Sequence, residues 1–220
     1  MPVLNEAETL AATLAALTPL RAAGHEVVVV DGGSCDGTLE KATAHADRAI
    51  VAARGRARQM NAGAVAARGD VLVFLHADTC LPPDAAPLIL DALTRAGWGR
   101  FDVRLSGRHP AFRVVERMMN WRSRLTGIAT GDQTIFVRRD WFEAVGGFPD
   151  IPLMEDVAFC RRLKTFGRPH CVAVPVVTSS RRWETRGIAR TILLMWRLRL
   201  AYLLGADPKR LARHYCGYGN

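Results

Sequence analysis

Apolar residues in the first half of the chain come in short continuous runs, and residues with helical spacing lie between these runs. The runs cover residues 3–4, 27–30, 49–51 and 71–75. Leu10, Leu14 and Leu17 share one face of a helix, and further helices are expected from residue 38 and over residues 60–67. Fully apolar strands that alternate with helices are typical of a parallel sheet covered on both faces. The pattern therefore predicts an α/β fold with a mostly parallel central sheet and helices on both faces.

The second half of the chain has a less regular pattern. Helices are expected over residues 82–96, 112–125 and 157–166, and strands over residues 101–105, 133–137 and 171–177. A last amphipathic helix covers residues 188–204, and Gly205 and Pro208 end it. Because no linker, repeat or low-complexity tract interrupts the chain, we expect one domain over residues 1–220. Its parts would be a first half at 1–100, a mixed half at 101–183 and a helical segment at 184–220.

The chain is basic, with a formal net charge of +9 at pH 7, and most of the excess lies in its second half. This charge could face phosphates, anionic lipid or nucleic acid, and a solvated basic face explains it equally well. The five cysteines form no C-x-x-C pair, which favours free thiols in a reducing compartment. Neither a signal peptide nor an apolar run of about 18 residues is found. We therefore expect a cytoplasmic location.

Polar residues that could carry chemistry follow three of the predicted strands. Asn5 and Glu6 follow the first strand, Asp31 follows the second, and His76 and Asp78 follow the fourth. In open α/β sheets, ligands bind outside the carboxyl ends of the strands. Each residue alone could be a turn or cap residue, and Asn5 with Glu8 has the spacing of a capping box. Together they predict a site at one edge of the sheet, with His76 and Asp78 on the same side.

A further acidic pair, Glu155 and Asp156, stands at the predicted start of a helix, after the glycine-rich stretch 146–149. Helix N-termini favour acidic residues in general, which explains one of the two without any function. Other site patterns are missing from the sequence. Residues 32–37 lack the middle glycine of G-x-G-x-x-G, no G-x-x-x-x-G-K-[ST] loop occurs, and no zinc-ligand spacing is found. The sequence therefore disfavours dinucleotide, P-loop and zinc sites.

An ordered set of segments resembles the family-2 glycosyltransferases. Residues 2–6 (PVLNE), 30–38 (VDGGSCDGT), 63–70 (GAVAARGD) and 74–79 (FLHADT) resemble the nucleotide-binding half of that family. Residues 155–156 are similar to its ED pair, residues 131–133 (GDQ) to its acceptor-side loop, and residues 181–183 (RRW) to the Arg-Trp motif of processive members. The set covers nearly the whole chain in order. The resemblance implies a GT-A fold and an inverting transfer of one sugar from a UDP- or GDP-linked donor.

The resemblance also implies roles for individual residues. Asp156 would be the general base with Glu155 supporting it, and Asp78 would bind a divalent ion, Mg²⁺ or Mn²⁺, with His76 as a second ligand or a diphosphate contact. The nucleotide-sugar site would comprise Pro2, Leu4, Asn5, Glu6, Asp31, Gly33, Ser34, Arg58, Asn61, His76, Ala77 and Asp78. The acceptor side would comprise Gly131, Asp132, Gln133, Arg182 and Trp183. The chemistry is coherent, because a hard cation stabilises the charge that grows on a leaving diphosphate, and a carboxylate can take the proton of an acceptor hydroxyl.

The sequence departs from the family in two places. His76 stands where the metal motif D-x-D has its first acid, which leaves one carboxylate fewer for the ion. Relatives also carry several apolar residues before the segment at 2–6, so we expect the native chain to begin upstream of Met1. Pro2, which cannot donate a ladder hydrogen bond, would otherwise stand in the middle of the sheet.

The expected partners follow from the resemblance and from the last helix. The donor would be a nucleotide-sugar, and the acceptor a hydroxyl or carboxylate of a lipid, a lipid-linked precursor or a secondary metabolite, with no nucleic acid involved. The last helix has a broad apolar face formed by Ile188, Ile192, Leu193, Trp196, Leu200, Leu203 and Leu204. This face could lie on anionic lipid at the inner face of the plasma membrane, pack in the core, or join two copies in a homodimer.

Two other classes of protein explain part of the sequence. A sugar-phosphate nucleotidyltransferase shares the sheet but would begin with a glycine-rich segment containing Arg and Lys, which is missing here. A basic nucleic-acid-binding module explains the charge, but it gives no reason for Asp31, Asp78 and Asp156 to converge.

Overall fold

A computed structural model describes residues 1–217, so residues 218–220 of the predicted C-terminal segment lie outside the described residues. The strands are β1 (Pro2–Val3), β2 (Val28–Asp31), β3 (Arg48–Val51), β4 (Val71–Phe74), β5 (Thr79–Cys80), β6 (Trp98–Leu105), β7 (Ile135–Arg138) and β8 (His170–Thr178). The helices are α1 (Ala7–Ala16), α2 (Thr18–Ala22), α3 (Thr38–His45), α4 (Arg56–Ala66), α5 (Ala85–Arg95), α6 (Pro110–Thr126), α7 (Arg139–Ala144), α8 (Glu155–Leu163), α9 (Arg181–Arg186), α10 (Ile188–Leu203) and α11 (Pro208–Gly217). A 3₁₀ turn covers Gly131–Gln133.

The strands form two sheets. β1, β2 and β3 make a parallel sheet in that order, and the second sheet has the order β4-β7-β6-β8-β5. In the second sheet β6 and β8 run parallel, whereas the other neighbours are antiparallel. The predicted α/β class is confirmed, but the prediction that the fourth apolar run joins the first three in one parallel sheet is wrong. β4 pairs with β7 instead, with Val71 opposite Arg138.

An apolar cleft with a volume of about 920 Å³ lies between the two sheets. Its lining includes Met1 and Val28 on one side, residues 71–75 on the other, Met60 and Ala64 from α4, and Ile89 from α5. Across this cleft β1 and β4 form no ladder within the described residues. The prediction that further residues precede Met1 stays a prediction.

Four phenylalanines tie β4 to the elements that carry the acidic pair. The rings of Phe148 and Phe159 stack with centroids 4.0 Å apart, and Phe74 meets Phe148 edge-on at 4.8 Å. Phe142 completes the group, 5.5 Å from Phe74 and 5.7 Å from Phe159. Aromatic pairs in these geometries add to the stabilisation that their burial gives. The cluster therefore fixes α8 relative to the end of β4, where residues 76–78 follow.

Helix α4 is fixed to the first sheet through a buried glutamine. Gln59 Nε2 donates to the main-chain oxygens of Val3 (2.8 Å) and Val30 (2.9 Å), at the ends of β1 and β2. A Cβ on Gly32 would lie 3.0 Å from the amide of Gln59, so the strand end has room for little more than glycine. Because buried amides need partners, this arrangement holds the N-terminal turn of α4 beside both strand ends.

The start of α1 differs from the prediction. Glu6, and not Asn5, occupies the N-cap position, and no side chain of the helix itself caps it. The loop before α3 supplies the acceptors instead, since Thr38 Oγ1 accepts from the Glu6 N–H (2.9 Å) and Asp36 Oδ2 accepts from the Ala7 N–H (3.1 Å). The capping box of Asn5 and Glu8 is therefore wrong, because a tertiary contact satisfies the donors that a local cap would otherwise serve.

The last helices agree closely with the sequence pattern. α10 ends at Leu203, just before Gly205 with its φ of 88°, and α11 begins at Pro208. Thr191 and Leu198 of α10 are buried. No helix in residues 1–217 combines the length and the apolar character needed to cross a membrane.

Phe159→Ala tests the aromatic cluster. Phe159 is fully buried, so its loss leaves a cavity, and we expect the free energy of unfolding to fall by about 3–5 kcal/mol. Phe166→Ala is the matched control, because its ring is 50% exposed, and it should cost about 1 kcal/mol or less. Urea unfolding followed by circular dichroism measures both values. Equal losses in the two variants would contradict the role given to the cluster.

Candidate active site

The acidic pair lies at the first turn of α8 and is held there by the preceding residue. Met154 adopts a φ of 68°, which is strained for a residue with a side chain, and it turns the chain into the helix. Glu155 is 3% exposed and forms an ion pair with Arg56, with Nη1 and Oε1 3.3 Å apart. Because a buried charge is costly unless it is paired, Arg56 makes the burial of this pair possible.

Asp156 has the properties of a base that works near neutral pH. Its Oδ2 accepts from the Gly131 N–H (3.0 Å) and its Oδ1 accepts from the Val157 N–H (2.7 Å). Burial, followed by the neighbouring charge of Glu155, raises the pKa of Asp156 to about 7, although Arg56 and the two hydrogen bonds act in the opposite direction. A carboxylate with such a pKa can accept a proton in the physiological range.

Arg56 was not found by the sequence analysis. It is the first residue of α4, and the carboxylates of Glu155, Asp156 and Asp132 all act on its charge. A signal does exist in the sequence, since Arg54, Arg56 and Arg58 cluster at a helix start, where the macrodipole disfavours positive charge. Such a cluster indicates acidic partners elsewhere in the fold.

His76 and Asp156 both contact Gly131. A Cβ on Gly131 would be 2.4 Å from the imidazole of His76, so only glycine fits between the ring and the turn. The Nδ1 atom of His76 is 3.8 Å from Asp132 Oδ1. Burial, followed by the charge of Arg56, lowers the pKa of His76 to about 3, so the imidazole is neutral. The strand end and the acidic pair therefore meet at one turn.

Asp78 lies near His76 and is half-buried. Its charge acts on His76, and its main-chain oxygen accepts from the Ser179 N–H (3.1 Å), which fixes the loop after β4. No group of three or more His, Cys, Asp or Glu side chains that could hold a metal ion occurs in the described part of the chain. One carboxylate and one neutral imidazole fit a divalent ion that takes its other ligands from substrate phosphates. Imidazole suits Mn²⁺ better than Mg²⁺.

The turn after β2 is linked to the end of β1. Asp31 is buried and its Oδ2 accepts from the N–H groups of Gly33 (2.9 Å) and Ser34 (2.8 Å). Ser34 Oγ in turn accepts from the Asn5 N–H (2.9 Å), and Asn5 Oδ1 accepts from the Cys35 N–H (3.0 Å). Asp31 Oδ1 also accepts from the Ser34 hydroxyl. The carboxylate of Asp31 therefore shapes the turn, and Asn5, Gly33 and Cys35 are the exposed residues of this group.

Other residues of the predicted nucleotide-sugar site stand nearby. Pro2 and Leu4 are half-buried beside the strand end, and Ala77 is buried with its oxygen accepting from Thr13 Oγ1 (2.5 Å). Glu6 Oε2 lies 3.9 Å from Arg181 Nη2. This ion pair brings α9 to the same side as the end of β1.

Two residues expected at the donor site are used elsewhere. The amide of Asn61 donates to the Phe148 oxygen (2.8 Å) and accepts from the Phe148 N–H (2.9 Å). Arg58 Nε donates to Asp150 Oδ1 (2.9 Å). A Cβ on Gly147 would lie 2.7 Å from Asn61 Oδ1, which shows how closely the loop approaches α4. Both side chains clamp the loop that leads to Glu155, and their assignment as nucleotide-sugar contacts stays a prediction.

The acceptor-side residues divide into exposed and buried members. Asp132 is exposed at 45% of its side chain, whereas Gln133 is fully buried and donates to Ser123 Oγ (3.0 Å) of α6. Trp183 packs against a cluster of Leu105, Phe112 and Val115. Gln133 and Trp183 are therefore engaged with α6 and its neighbours, and their assignment as acceptor contacts stays a prediction.

Arg182 and Arg122 add positive charge to the site. Arg182 stacks on the Tyr215 ring at 5.3 Å, and its charge acts on His76. The Nε and Nη2 atoms of Arg122 are buried and have no hydrogen-bond partner among the described residues. Burial lowers the pKa of Arg122, while the carboxylates of Asp156 and Asp132 act to raise it. Buried donors without partners are rare, so Arg122 is suited to an anionic group from outside the chain.

Strained backbone occurs next to the end of β1, the 3₁₀ turn and the acidic pair. Three of the described residues that are not glycine have a positive φ: Asn5 (52°), Thr134 (47°) and Met154 (68°). Asn5 follows β1, Thr134 follows the 3₁₀ turn, and Met154 precedes the acidic pair. Because each such conformation costs free energy, their clustering is typical of a functional site.

Comparisons with known proteins agree with this arrangement. The model of the glycosyl transferase family 2 matches residues 1–146. An uncharacterized glycosyltransferase of Mycobacterium tuberculosis is 30% identical over 133 residues, which is 56% of this chain and 57% of the relative. An undecaprenyl-phosphate 4-deoxy-4-formamido-L-arabinose transferase of Yersinia pestis is 30% identical over 151 residues, which is 63% of this chain and 46% of that enzyme. The chain thus spans about half the length of these curated relatives.

Solved structures share the fold. A mannosyltransferase from Pyrobaculum calidifontis, in complex with GDP-Man and Mn²⁺, has a TM-score of 0.66 at 24% identity and covers 99% of this chain and 67% of its own. Glucosyl-3-phosphoglycerate synthase from Mycobacterium tuberculosis, in complex with Mn²⁺, UDP and glucosyl-3-phosphoglycerate, has a TM-score of 0.59 at 18% identity over 80% of this chain and 69% of its own. These likenesses confirm the expected GT-A fold. The match of the family model over residues 1–146 shows that the chain belongs to glycosyl transferase family 2.

Proposed function

We propose that the protein is an inverting glycosyltransferase that moves a sugar from a UDP- or GDP-linked donor to an acceptor, with Asp156 as the general base. The observation that carries this proposal is the environment of Asp156. Its carboxylate is partly buried beside Glu155 and accepts from the Gly131 N–H, and its pKa is raised to about 7. Structural acids at a helix start are normally ionised well below this pH, so the setting of Asp156 favours proton transfer.

The positions of the remaining groups fit an inverting displacement. Asp156 accepts from the Gly131 N–H, His76 lies against the Cα of the same glycine, and Asp78 acts on His76. The proposal places the acceptor beside Asp156 and the diphosphate beside His76 and Asp78. In the proposed reaction Asp156 takes the acceptor proton as the acceptor oxygen bonds to the anomeric carbon, and the bond from that carbon to the diphosphate oxygen breaks on the far side. Inversion requires this separation of base and leaving group. Asp78 and His76 would hold the divalent ion, which supplies charge stabilisation for the departing diphosphate.

Neighbouring residues of the chain prepare Asp156 for this role. Arg56 neutralises Glu155, which lets a second carboxylate remain next to it. The hydrogen bond from Gly131 orients one oxygen of Asp156 and leaves lone pairs for the acceptor. The neutral imidazole of His76 adds no positive charge that would lower the pKa of the base.

A lipid-linked acceptor with a hydroxyl nucleophile fits the site best. A phosphate or carboxylate nucleophile is already ionised near pH 7 and needs no base, whereas a hydroxyl needs one. The Yersinia pestis relative is named for undecaprenyl phosphate, which supports a lipid-linked acceptor. The hydroxyl nucleophile rests on the raised pKa of Asp156 alone, because a polyprenyl phosphate would react through its phosphate oxygen. An anionic group on the lipid-linked acceptor would supply the hydrogen bonds that the buried nitrogens of Arg122 lack.

Asp156→Asn tests the proposal directly. The amide keeps the size of the side chain and cannot take a proton, so turnover of UDP- and GDP-sugars with acceptor should fall about 10²–10⁴-fold. Donor affinity should hardly change. Asp140→Asn, at an exposed carboxylate paired with Arg138, is the matched control and should keep full activity. At pH 8 the Asp156→Asn protein should melt no lower than the wild type, because it lacks a charge that its surroundings disfavour, as the raised pKa of Asp156 shows. Near-normal turnover in the folded variant would reject Asp156 as the base.

The pH dependence separates a hydroxyl from an ionised nucleophile. Because burial and Glu155 raise the pKa of Asp156 to about 7, the base is protonated below that pH and ionised above it. We therefore expect kcat/KM to rise with pH through an inflection near 7 and then to level off. A profile that is flat between pH 6 and pH 8 would indicate an acceptor that is already ionised and a mechanism without this base.

Asp78→Asn tests the metal site by calorimetric titration of UDP and GDP with Mn²⁺ or Mg²⁺. Loss of the only carboxylate of the proposed pair should abolish metal-dependent binding. His76→Asn should weaken binding modestly, and His76→Asp should tighten binding with Mg²⁺ by adding a carboxylate. Asp91→Asn, at a surface ion pair with Arg95, serves as control. If Asp78→Asn binds nucleotide and metal like the wild type, the ion is held elsewhere.

A further inference from the structure

Helix α6 carries an apolar stripe on the side that faces away from the core. Its inner side packs Phe112 and Val115, which are buried. Its outer side exposes Val114 (56%), Met118 (46%), Trp121 (66%) and Leu125 (56%). Their spacing of three or four residues places them in one line along the helix, which we call the α6 stripe.

Helix α10 has the same two-sided character. Thr191 and Leu198 form its buried side. Its outer side exposes Leu193 (61%), Trp196 (57%), Leu200 (59%) and Leu203 (63%), which we call the α10 stripe. At 100° per residue this stripe is centred on the side opposite Leu198. Each stripe includes a tryptophan, and together the stripes expose a larger contiguous apolar surface than single scattered side chains would.

The two helices are neighbours. Met119 of α6 and Ile188 and Ile192 of α10 pack on one cluster with Phe112 and Val115. The first turns of α10 therefore lie against α6, so that the two stripes belong to adjoining helices of one part of the surface.

The charge on these helices favours an anionic partner. α6 contains four arginines and one acidic residue, and α10 contains three arginines and no acidic residue. Arg113 pairs with Glu116, and Arg124 pairs with Asp102, but Arg117 and Arg197 are exposed beside the stripes. A second copy of this chain docked through the same face would oppose these arginines with one another, because a two-fold interface pairs a patch with itself. Anionic lipid headgroups complement them.

We propose that the α6 and α10 stripes dock the protein on an anionic lipid surface. The apolar side chains would enter the boundary between headgroups and acyl chains, with the tryptophans at headgroup level, and the arginines would contact lipid phosphates. This inference deepens the proposed function and rests on its lipid-linked acceptor. The inner side of α10 supports it, because Leu198 packs with Met154 and Val157, which flank the acidic pair. Docking would therefore hold Asp156 about one helix diameter, roughly 10 Å, from the surface.

Flotation with vesicles tests the docking face without any need for activity. The wild-type protein should float with vesicles of phosphatidylglycerol at low salt, and less with phosphatidylcholine or at high salt. The fluorescence of Trp121 and Trp196 should shift to the blue on binding, and Trp121→Phe and Trp196→Phe should each remove part of the shift. Leu200→Ser combined with Trp196→Ser should weaken binding at least about tenfold, because two exposed anchors are lost.

Leu90→Ser is the matched control, because Leu90 is equally exposed (56%) but lies on α5. It should bind vesicles like the wild type. Arg117→Gln with Arg197→Gln should reduce the salt-sensitive part of the binding and leave the fold intact. Absence of flotation on phosphatidylglycerol at low salt, or equal binding by the stripe variant and the control, would overturn the proposal. A dimer that dissociates in the stripe variant, without vesicle binding, would assign this face to self-association and would overturn it as well.

The outcome is separable from that of the proposed function. If Asp156→Asn abolishes turnover but the wild type does not bind vesicles, the docking proposal is wrong and the assignment of Asp156 as the base is supported. If the vesicles are bound but Asp156→Asn keeps its turnover, the docking face stands and the mechanism is wrong.

Discussion

Two carboxylates lie side by side at the start of α8, Glu155 buried and Asp156 partly buried, and much of the architecture around them serves this arrangement. Burying two like charges in a protein interior is costly, so the fold must supply compensation. Arg56 pairs with Glu155 at 3.3 Å, and Gly131 donates to Asp156 at 3.0 Å. Burial and the charge of Glu155 still outweigh these compensating contacts, and the pKa of Asp156 is therefore raised. In the proposed mechanism this raised pKa is what makes the carboxylate a base.

Keeping the pair in place involves strain and tight packing elsewhere. Met154 takes a left-handed conformation so that both acids enter the first turn of α8. The loop before it is clamped to α4 by Asn61, and the phenylalanine cluster fixes α8 to the end of β4. These contacts determine the distance between the acidic pair and residues 76–78. A single glycine, Gly131, fills the gap, because any side chain there would collide with His76.

Much of this could be predicted from the sequence, and the failures have physical reasons. Periodicity located the long helices and the apolar strands, and the polar residues at strand ends pointed to His76 and Asp78. The partner of β4 could not be predicted, because a fully apolar run fits any buried position in a sheet. Arg56 was missed since its partners are about a hundred residues away. The hydrogen bonds of Asn61 to Phe148 and of Gln133 to Ser123 could not be predicted, because they join segments that only the fold brings together.

Helix α10 connects the chemistry with the outer surface of the protein. One side of it packs on Met154 and Val157, next to the base, and the other exposes the α10 stripe. An acceptor with a long lipid tail stays in its bilayer, so the enzyme must bring the base to the surface of that bilayer. Helix α10 is apolar on both sides, so one side can support the start of α8 while the other contacts lipid. The base then lies about one helix diameter from the bilayer. A polar outer side would serve solubility better, and the exposed apolar side chains therefore argue for a partner.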